Sequence, residues 1–366
     1  MKTKPLFLLV LFLVKSAYTV AQTQTAVMAP DTVAAKKKLT VFPAATYSPE
    51  TSFSFGAKAI LVKRQVGGYA TDRPSTHSLT FFYTLRKQVI STLRTDIWRK
   101  HNRKHWLGTM NFVNYPYVFY GIGNNTTQEA EEHYTSRALY GSLQFEQKIS
   151  DKVYLGGLLN FRHDVISKRE AEGQLNTGNI VGGAGTNAFG LGPTASYDTR
   201  DHLYIPRKGA FHQASVQWFG KVLGSSSNFA RYRLDFRKYV PAPFNGVLAG
   251  QGLFTFTSGE VPFQYLSPIG GGNILRGYLE ARFRDRHAMV YQLEYRVPLF
   301  WRVGAAAFAG AGKVAPTLED LNFRGLHPAA GAGLRFRLND EGINLRIDMA
   351  LSEEMPGVYF SLYEAF

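Results

Sequence analysis

Residues 343–349 read Ile-Asn-Leu-Arg-Ile-Asp-Met, so apolar and polar side chains alternate along the whole segment. The same period of two recurs in residues 231–237 and 290–297. This repeat predicts β-strands with one apolar and one polar face. In a soluble sandwich the apolar faces form the core, whereas in a transmembrane barrel they face lipid and the polar faces line the lumen. The alternation alone leaves both architectures open, and the two ends of the chain favour the barrel.

The first 21 residues have the pattern of a secretory signal peptide. Lys2 and Lys4 precede the apolar run 5–14, and small residues at 19–21 provide a cleavage site before Gln22. The apolar run is too short for a helix across roughly 30 Å of hydrocarbon. We therefore predict export, with residues 22–37 as a short periplasmic tail.

The last residues form an amphipathic segment that ends on an aromatic side chain. Phe360, Leu362 and Phe366 share its apolar face, and Glu364 is the exception. A terminal aromatic residue on such a strand is typical of bacterial outer-membrane barrels. It predicts localisation in the outer membrane of a Gram-negative bacterium.

Composition agrees with a membrane barrel. The 366 residues include 20 Tyr, 27 Phe and 35 Gly, and there is no Cys. Aromatic side chains suit the two membrane interfaces. The formal net charge of +15 is better explained by anionic lipid headgroups and a cationic lumen than by nucleic acid, which is not an expected partner.

Amphipathic segments recur from residue 38 to residue 366, separated by clusters of Gly, Asn, Asp and Pro. They predict an all-β, antiparallel transmembrane barrel of about sixteen strands, an even number as in single-chain bacterial barrels. Long connections are expected at 119–133, 168–185 and 258–286, and short ones near 148–152 and 241–245. This asymmetry favours extracellular loops at one end and periplasmic turns at the other.

Three sequence elements lie in the second half of the chain. One is Leu275-Arg276-Gly277-Tyr278, which follows a run of glycines. The others are residues 197–201, with Asp198, Arg200 and Asp201 and followed by Gly209, and Leu293-Glu294-Tyr295. In their order along the chain and their spacing, they resemble a loop motif, a turn and a strand of the BamA/TamA outer-membrane assembly family, also called the bacterial surface antigen family.

The resemblance implies that the motif loop folds back into the lumen, where its arginine contacts acidic residues of the inner wall. Arg276 would then reach Glu294, which the alternation independently places inward. The family often has a second acid on the following strand, but Gly310 occupies that position within Phe308-Ala309-Gly310-Ala311-Gly312. We therefore expect Glu294 alone to hold Arg276.

The resemblance also implies a function in inserting or translocating proteins or lipids at the outer membrane, without catalysis. Residues 22–37 are too few for a periplasmic POTRA domain, so a barrel-only member is predicted. Expected partners are outer-membrane lipid and lipopolysaccharide, and unfolded outer-membrane proteins or a separate periplasmic scaffold. No catalytic, metal or cofactor site is predicted. The alternatives are a passive anion-preferring channel and an outer-membrane lipid-modifying enzyme.

Overall fold

The computed structural model describes residues 32–33, 37–48, 52–64, 68–69, 72–85, 87–339, 342–354 and 356–366. The predicted signal peptide and most of the predicted tail lie outside these residues. Thr32–Val33, within the tail, pairs antiparallel with Gly68–Tyr69. No helix in the described part of the chain is long and apolar enough to cross a membrane.

One sheet of sixteen antiparallel strands dominates the structure, and each strand pairs with the next along the chain. The prediction of an all-β barrel of about sixteen strands is confirmed. The strands are β1 (Lys37–Ser48), β2 (Ser52–Lys63), β3 (Ser75–Thr84), β4 (Val89–Arg99), β5 (Lys104–Phe119), β6 (Glu132–Lys148), β7 (Val153–Ser167), β8 (Gly185–Asp198), β9 (Gly209–Phe219), β10 (Phe229–Ala242), β11 (Gly246–Gly259), β12 (His287–Phe300), β13 (Val303–Ala315), β14 (His327–Arg337), β15 (Asn344–Ser352) and β16 (Gly357–Leu362).

The two faces of the sheet are arranged as in a membrane barrel. On β3, Leu79 and Phe81 are exposed, while Thr76 and Ser78 on the opposite face are buried. On β12, Leu293 is exposed whereas Glu294 is fully buried. Apolar side chains therefore face outward toward lipid, and the polar side chains point into the lumen.

The two ends of the sheet, β1 and β16, come together. Ile60 and Val62 of β2 form a buried cluster with Ile343, against which Phe42 of β1 and Leu362 of β16 both pack. The ammonium group of Lys58 lies 5.2 Å from the centre of the Tyr363 ring. These contacts join the beginning of the sheet to its end.

Connections differ in length at the two ends of the strands. The short-turn end includes the connections between β4 and β5, between β6 and β7, and between β10 and β11. The long-loop end carries the connections after β5, β7 and β11, as predicted. The last of these, residues 260–286, is called loop L6 and contains a 3-10 turn, Phe263–Tyr265, and a hairpin formed by Ser267–Ile269 and Phe283–Asp285.

The prediction that Phe366 shares a lipid-facing strand surface is wrong. β16 ends at Leu362, and Tyr363 adopts a left-handed conformation (φ 70°) that turns the chain off the sheet. Phe366 is buried inside the barrel beside Tyr239 and Val247. Phe360, by contrast, is 54% exposed on the outer face, as predicted.

Candidate functional site

Loop L6 enters the lumen through an apolar cluster near the long-loop end. Its residues Val261, Phe263, Tyr265 and Leu266 are buried against aromatic side chains of the wall. The rings of Phe219 and Tyr265 lie 4.9 Å apart, and those of Phe119 and Phe263 lie 5.5 Å apart. Aromatic burial of this extent holds the first half of the loop inside the barrel.

The second half of loop L6 is tied to neighbouring loops by Arg282. Its guanidinium donates hydrogen bonds to Glu354 and to the carbonyl oxygen of Thr126, the latter at 2.9 Å. The same group lies 4.1 Å from the centre of the Tyr120 ring. These contacts connect L6 to the connections that follow β5 and β15.

Arg276 lies at the inner tip of loop L6 and is only 2% exposed. Its guanidinium donates to Glu294 of β12 and to Asp348 of β15, each at 2.5 Å. The contact with Glu294 is the one that the motif implied. The expectation that Glu294 alone holds Arg276 is wrong, because Asp348 supplies a second carboxylate from a strand farther along the sheet.

Residues 308–312, where Gly310 occupies the position of the family's second acid, contribute an aromatic ring and space for a side chain of the loop. The ring of Phe308 lies 3.5 Å from the guanidinium carbon of Arg276, a cation–π contact in a desolvated position. A Cβ on Gly310 would lie 3.3 Å from Leu275 Cδ1 and 2.8 Å from the carbonyl oxygen of Tyr291. Glycine at this position thus leaves space for the Leu275 side chain.

Around Arg276 the inner wall forms a buried network, the carboxylate–arginine cluster. It comprises four arginines and three acids: Arg276, Arg296, Arg335, Arg346, Glu294, Asp348 and Glu364. Arg335 bridges the two acids that hold Arg276, at 3.0 Å from Glu294 and 2.5 Å from Asp348. Each carboxylate thus has several cationic partners, as burial of charge requires.

Gly277 and Tyr278 extend the contact to the wall. Gly277 has a φ of 121°, and a Cβ there would lie 3.1 Å from Cβ of Ser352, so only glycine fits without displacement. The Ser352 hydroxyl donates to the Gly277 carbonyl oxygen, and the Tyr278 hydroxyl donates to the carbonyl oxygen of Pro328. The motif is therefore bound to strands β14 and β15 as well as to β12.

Tyr359 links the same motif to the final strand, β16. Its hydroxyl accepts a hydrogen bond from the Gly277 amide at 2.9 Å and donates one to the Tyr278 carbonyl oxygen at 3.1 Å. Both partners belong to the backbone of the loop, so the contact depends on the loop being inside the lumen. The final strand and the tip of L6 are thereby joined directly.

A sequence profile of the Omp85 superfamily domain matches residues 73–360. The chain belongs to the Omp85 superfamily. Its fold resembles that of BamA from Haemophilus ducreyi lacking POTRA domains 1-3, with a TM-score of 0.57 at 14% identity, over 95% of this chain and 74% of that one. It also resembles CdiB from Escherichia coli, with a TM-score of 0.58 at 9% identity, over 96% of this chain and 67% of that one. A search of curated proteins found no match.

Membership of the Omp85 superfamily and the shared fold imply residence in the outer membrane of a Gram-negative bacterium. The resemblance to the BamA/TamA family that the motifs indicated is confirmed. At these identities the two solved structures support the fold alone.

The second motif of this Omp85 barrel forms a turn at the short-turn end, away from Arg276. Asp198 accepts hydrogen bonds from Arg200 and from Arg73, the latter at 2.7 Å. Asp201 accepts backbone hydrogen bonds from the turn it begins. Gly209 has a φ of 105°, and a Cβ there would lie 2.2 Å from the Thr199 carbonyl oxygen. These residues shape the turn and do not contact loop L6.

Sequence reasoning missed the contributions of Asp348, Arg335 and Tyr359 to the L6 site of this Omp85 barrel. Alternation placed Asp348 and Arg335 on the inner face without indicating their partners. For Tyr359 a signal existed, since it lies between the outward-facing Val358 and Phe360. Glu364, the exception to the terminal apolar pattern, accepts a hydrogen bond from Arg335 at 2.9 Å and so belongs to the cluster.

Proposed function

We propose that this Omp85 barrel assists the insertion or translocation of proteins, or of lipids, at the outer membrane. The observation that carries the proposal is the direct bond between the L6 motif and the final strand through Tyr359. Family membership and the shared fold support the general class of activity. The client class is part of the proposal.

The final strand is the part of the wall best suited to move away from the first strand, β1, at the junction between the two ends of the sheet. β16 has six residues, the fewest of the sixteen strands as the structure describes them, and its ladder to β15 runs from Leu345–Leu362 to Ala350–Gly357. A released strand edge presents unpaired backbone groups to which a client strand can add by β-augmentation. In this proposal, Tyr359 makes the position of β16 depend on the seating of L6.

The test is to prevent the two ends of the sheet from separating. Lys58→Cys and Tyr363→Cys replace side chains that are in contact across the junction, and a short cleavable crosslinker joins them. With the purified barrel in liposomes, we expect the crosslink to abolish accelerated folding of an unfolded outer-membrane client. Cleavage of the linker should restore that acceleration.

The matched control joins two neighbouring strands that stay paired. Thr109 and Ser142 face each other across β5 and β6 with their hydroxyl oxygens 2.9 Å apart, so the same linker between cysteines at these positions should leave activity unchanged. Full activity in the barrel crosslinked at the junction would contradict the proposal. Absence of acceleration by the uncrosslinked parent would contradict the activity itself.

A passive anion-preferring channel is the second candidate, and inward-facing cations favour it. Lys58, Arg94 and Arg231 form no ion pair with any residue that the structure describes. Planar-bilayer recordings test this function: anion-selective conductance in the intact barrel would support it. Conductance that appears only after deletion of residues 270–280 would show that L6 closes the pore.

A further inference from the structure

The charges on the two ends of the barrel differ in sign. Three neighbouring connections at the short-turn end present exposed or half-buried basic side chains, called the basic rim: Arg99, Lys100, Arg103, Lys104, Lys148, Lys152, Arg207 and Lys208. Among the described residues of the connections at the long-loop end, exposed or half-buried acids outnumber bases; the acids are Glu129, Glu131, Glu170, Glu172, Glu260, Glu280, Glu319, Asp320, Glu353 and Glu354, and the bases are Lys87, Lys168, Arg169, Lys221, Arg286 and Arg324. The cationic surplus on the surface is therefore concentrated at one end.

The three connections that carry the basic rim form one surface. The Lys148 amide donates to the carbonyl oxygen of Arg103 at 2.8 Å, and the Asp198 amide donates to the carbonyl oxygen of Lys152 at 2.9 Å. The Tyr154 hydroxyl adds a bond to the carbonyl oxygen of Asn102. Backbone hydrogen bonds thus hold cations from three hairpins side by side.

The acids near the basic rim leave most of its charge uncompensated. Asp72 pairs with His101 at 2.9 Å, and Asp201 accepts bonds from backbone amides of its own turn. Asp151 is the other exposed acid of these connections. None of the eight basic side chains forms an ion pair with a residue in the described ranges. The rim therefore presents a net positive surface to an external anion.

The turn between β4 and β5 is held in an uncommon conformation that displays part of this charge. Lys100, His101 and Asn102 have φ values of 52°, 53° and 63°, a left-handed region that non-glycine residues seldom occupy. The Arg73 amide donates to Oδ1 of Asn102 at 2.8 Å and helps to hold the turn. Lys100 and Arg103 are both exposed at its surface.

We propose that the basic rim binds anionic phospholipid headgroups of the membrane leaflet at the short-turn end. Directly beside the rim, Ile149 is 59% exposed, and Leu143 and Leu155 face outward in the apolar band. Long basic side chains at this level can extend into the headgroup layer while their stems lie along apolar surface. An anionic phospholipid can contact the apolar band with its acyl chains and the cations with its headgroup, whereas an acidic soluble protein would contact the cations alone.

The test measures lipid binding to the delipidated full-length barrel in a neutral detergent. Phosphatidylglycerol and phosphatidylcholine with identical acyl chains are titrated separately, and bound lipids are counted by native mass spectrometry. The rim variant carries Lys100→Gln, Arg103→Gln, Lys148→Gln and Lys152→Gln. The matched control carries Lys87→Gln, Lys168→Gln, Lys221→Gln and Arg324→Gln, which removes the same charge from the long-loop end.

We expect the parent and the control to prefer phosphatidylglycerol, and the rim variant to bind it about tenfold more weakly, with phosphatidylcholine binding unchanged. If the fourfold rim variant fails to fold, as judged by heat-modifiable gel migration, the exposed pair Lys100→Gln and Lys152→Gln is used and a smaller loss is expected. Equal phosphatidylglycerol binding by the folded rim variant and the parent would overturn the proposal. The proposal would also be overturned if the parent showed no preference between the two lipids but bound an acidic peptide. It would equally be overturned if millimolar inorganic phosphate displaced the bound lipid.

Discussion

Replacement of Glu294 by glutamine should show how the carboxylate–arginine cluster holds loop L6. The Glu294 carboxylate accepts hydrogen bonds from Arg276, Arg296 and Arg335 and is fully buried. The cluster of four arginines and three acids carries a formal charge of +1, and Glu294→Gln raises this to +2 without access to water. Breaking a buried ion pair from one side costs about 3–5 kcal/mol, so a loss of this size is expected.

The partner substitution, Arg276→Met, should cost less. Glu294 keeps Arg296 and Arg335, and Asp348 keeps Arg335 and Arg346, so no acid is left alone. The cluster becomes formally neutral, and a loss of about 1–3 kcal/mol is expected from the missing hydrogen bonds. The double variant returns to +1, so its loss should fall below the sum of the single losses by about 1–3 kcal/mol.

The assay is equilibrium unfolding of the folded barrel in urea, followed by tryptophan fluorescence and by heat-modifiable gel migration. A parallel cycle at Arg73 and Asp198, paired at 2.7 Å at the short-turn end and away from L6, provides the control. Limited proteolysis within L6 should increase in the Arg276 variants and stay unchanged in the control variants. The reasoning would be refuted if the losses of the Arg276 and Glu294 single variants summed to the loss of the double variant within about 0.5 kcal/mol.

Three further substitutions test neighbouring contacts. Gly277→Ala should displace the tip of L6 and cost about 2 kcal/mol or more, because φ is 121° and the new Cβ meets Ser352; faster proteolysis of L6 would show it, and an unchanged rate would speak against the fit. Tyr359→Phe removes both bonds to the loop backbone and should cost about 1–3 kcal/mol, with faster hydrogen exchange at the Gly277 amide as the readout; an unaltered exchange rate would exclude the link. Phe308→Leu should lower the urea midpoint by the loss of about 1–2 kcal/mol of cation–π attraction, whereas Phe308→Tyr should keep most of it.

Much of the fold was predictable from the sequence because each strand meets two different environments. Lipid outside and water inside impose a period of two on every strand, so the alternation along residues 343–349 indicates both the strand and its inward residues. Loop lengths were visible for the same reason, since the alternation stops where the chain leaves the membrane. The contact between Arg276 and Glu294 came from the family resemblance, to which the alternation added only that Glu294 points inward.

The remaining features depend on the path of the chain in three dimensions. Asp348 follows Arg276 by 72 positions, and their contact depends on the depth that L6 reaches in the lumen. The inward turn of Phe366 depends on one left-handed residue, Tyr363, which a strand pattern does not reveal. Glu364 was the available clue, because a carboxylate on a lipid-facing strand would have been costly.

The aromatic cluster that surrounds the first half of loop L6 gives the lumen an interior like that of a soluble protein. Phe263 and Tyr265 fill the volume between wall residues such as Phe119 and Phe229, so water cannot replace the loop without wetting those rings. Departure of this segment from the lumen therefore requires its buried rings to leave the cluster together. Movements of L6 out of the lumen should accordingly be discrete and infrequent, with a steep temperature dependence that a loosely packed loop would lack.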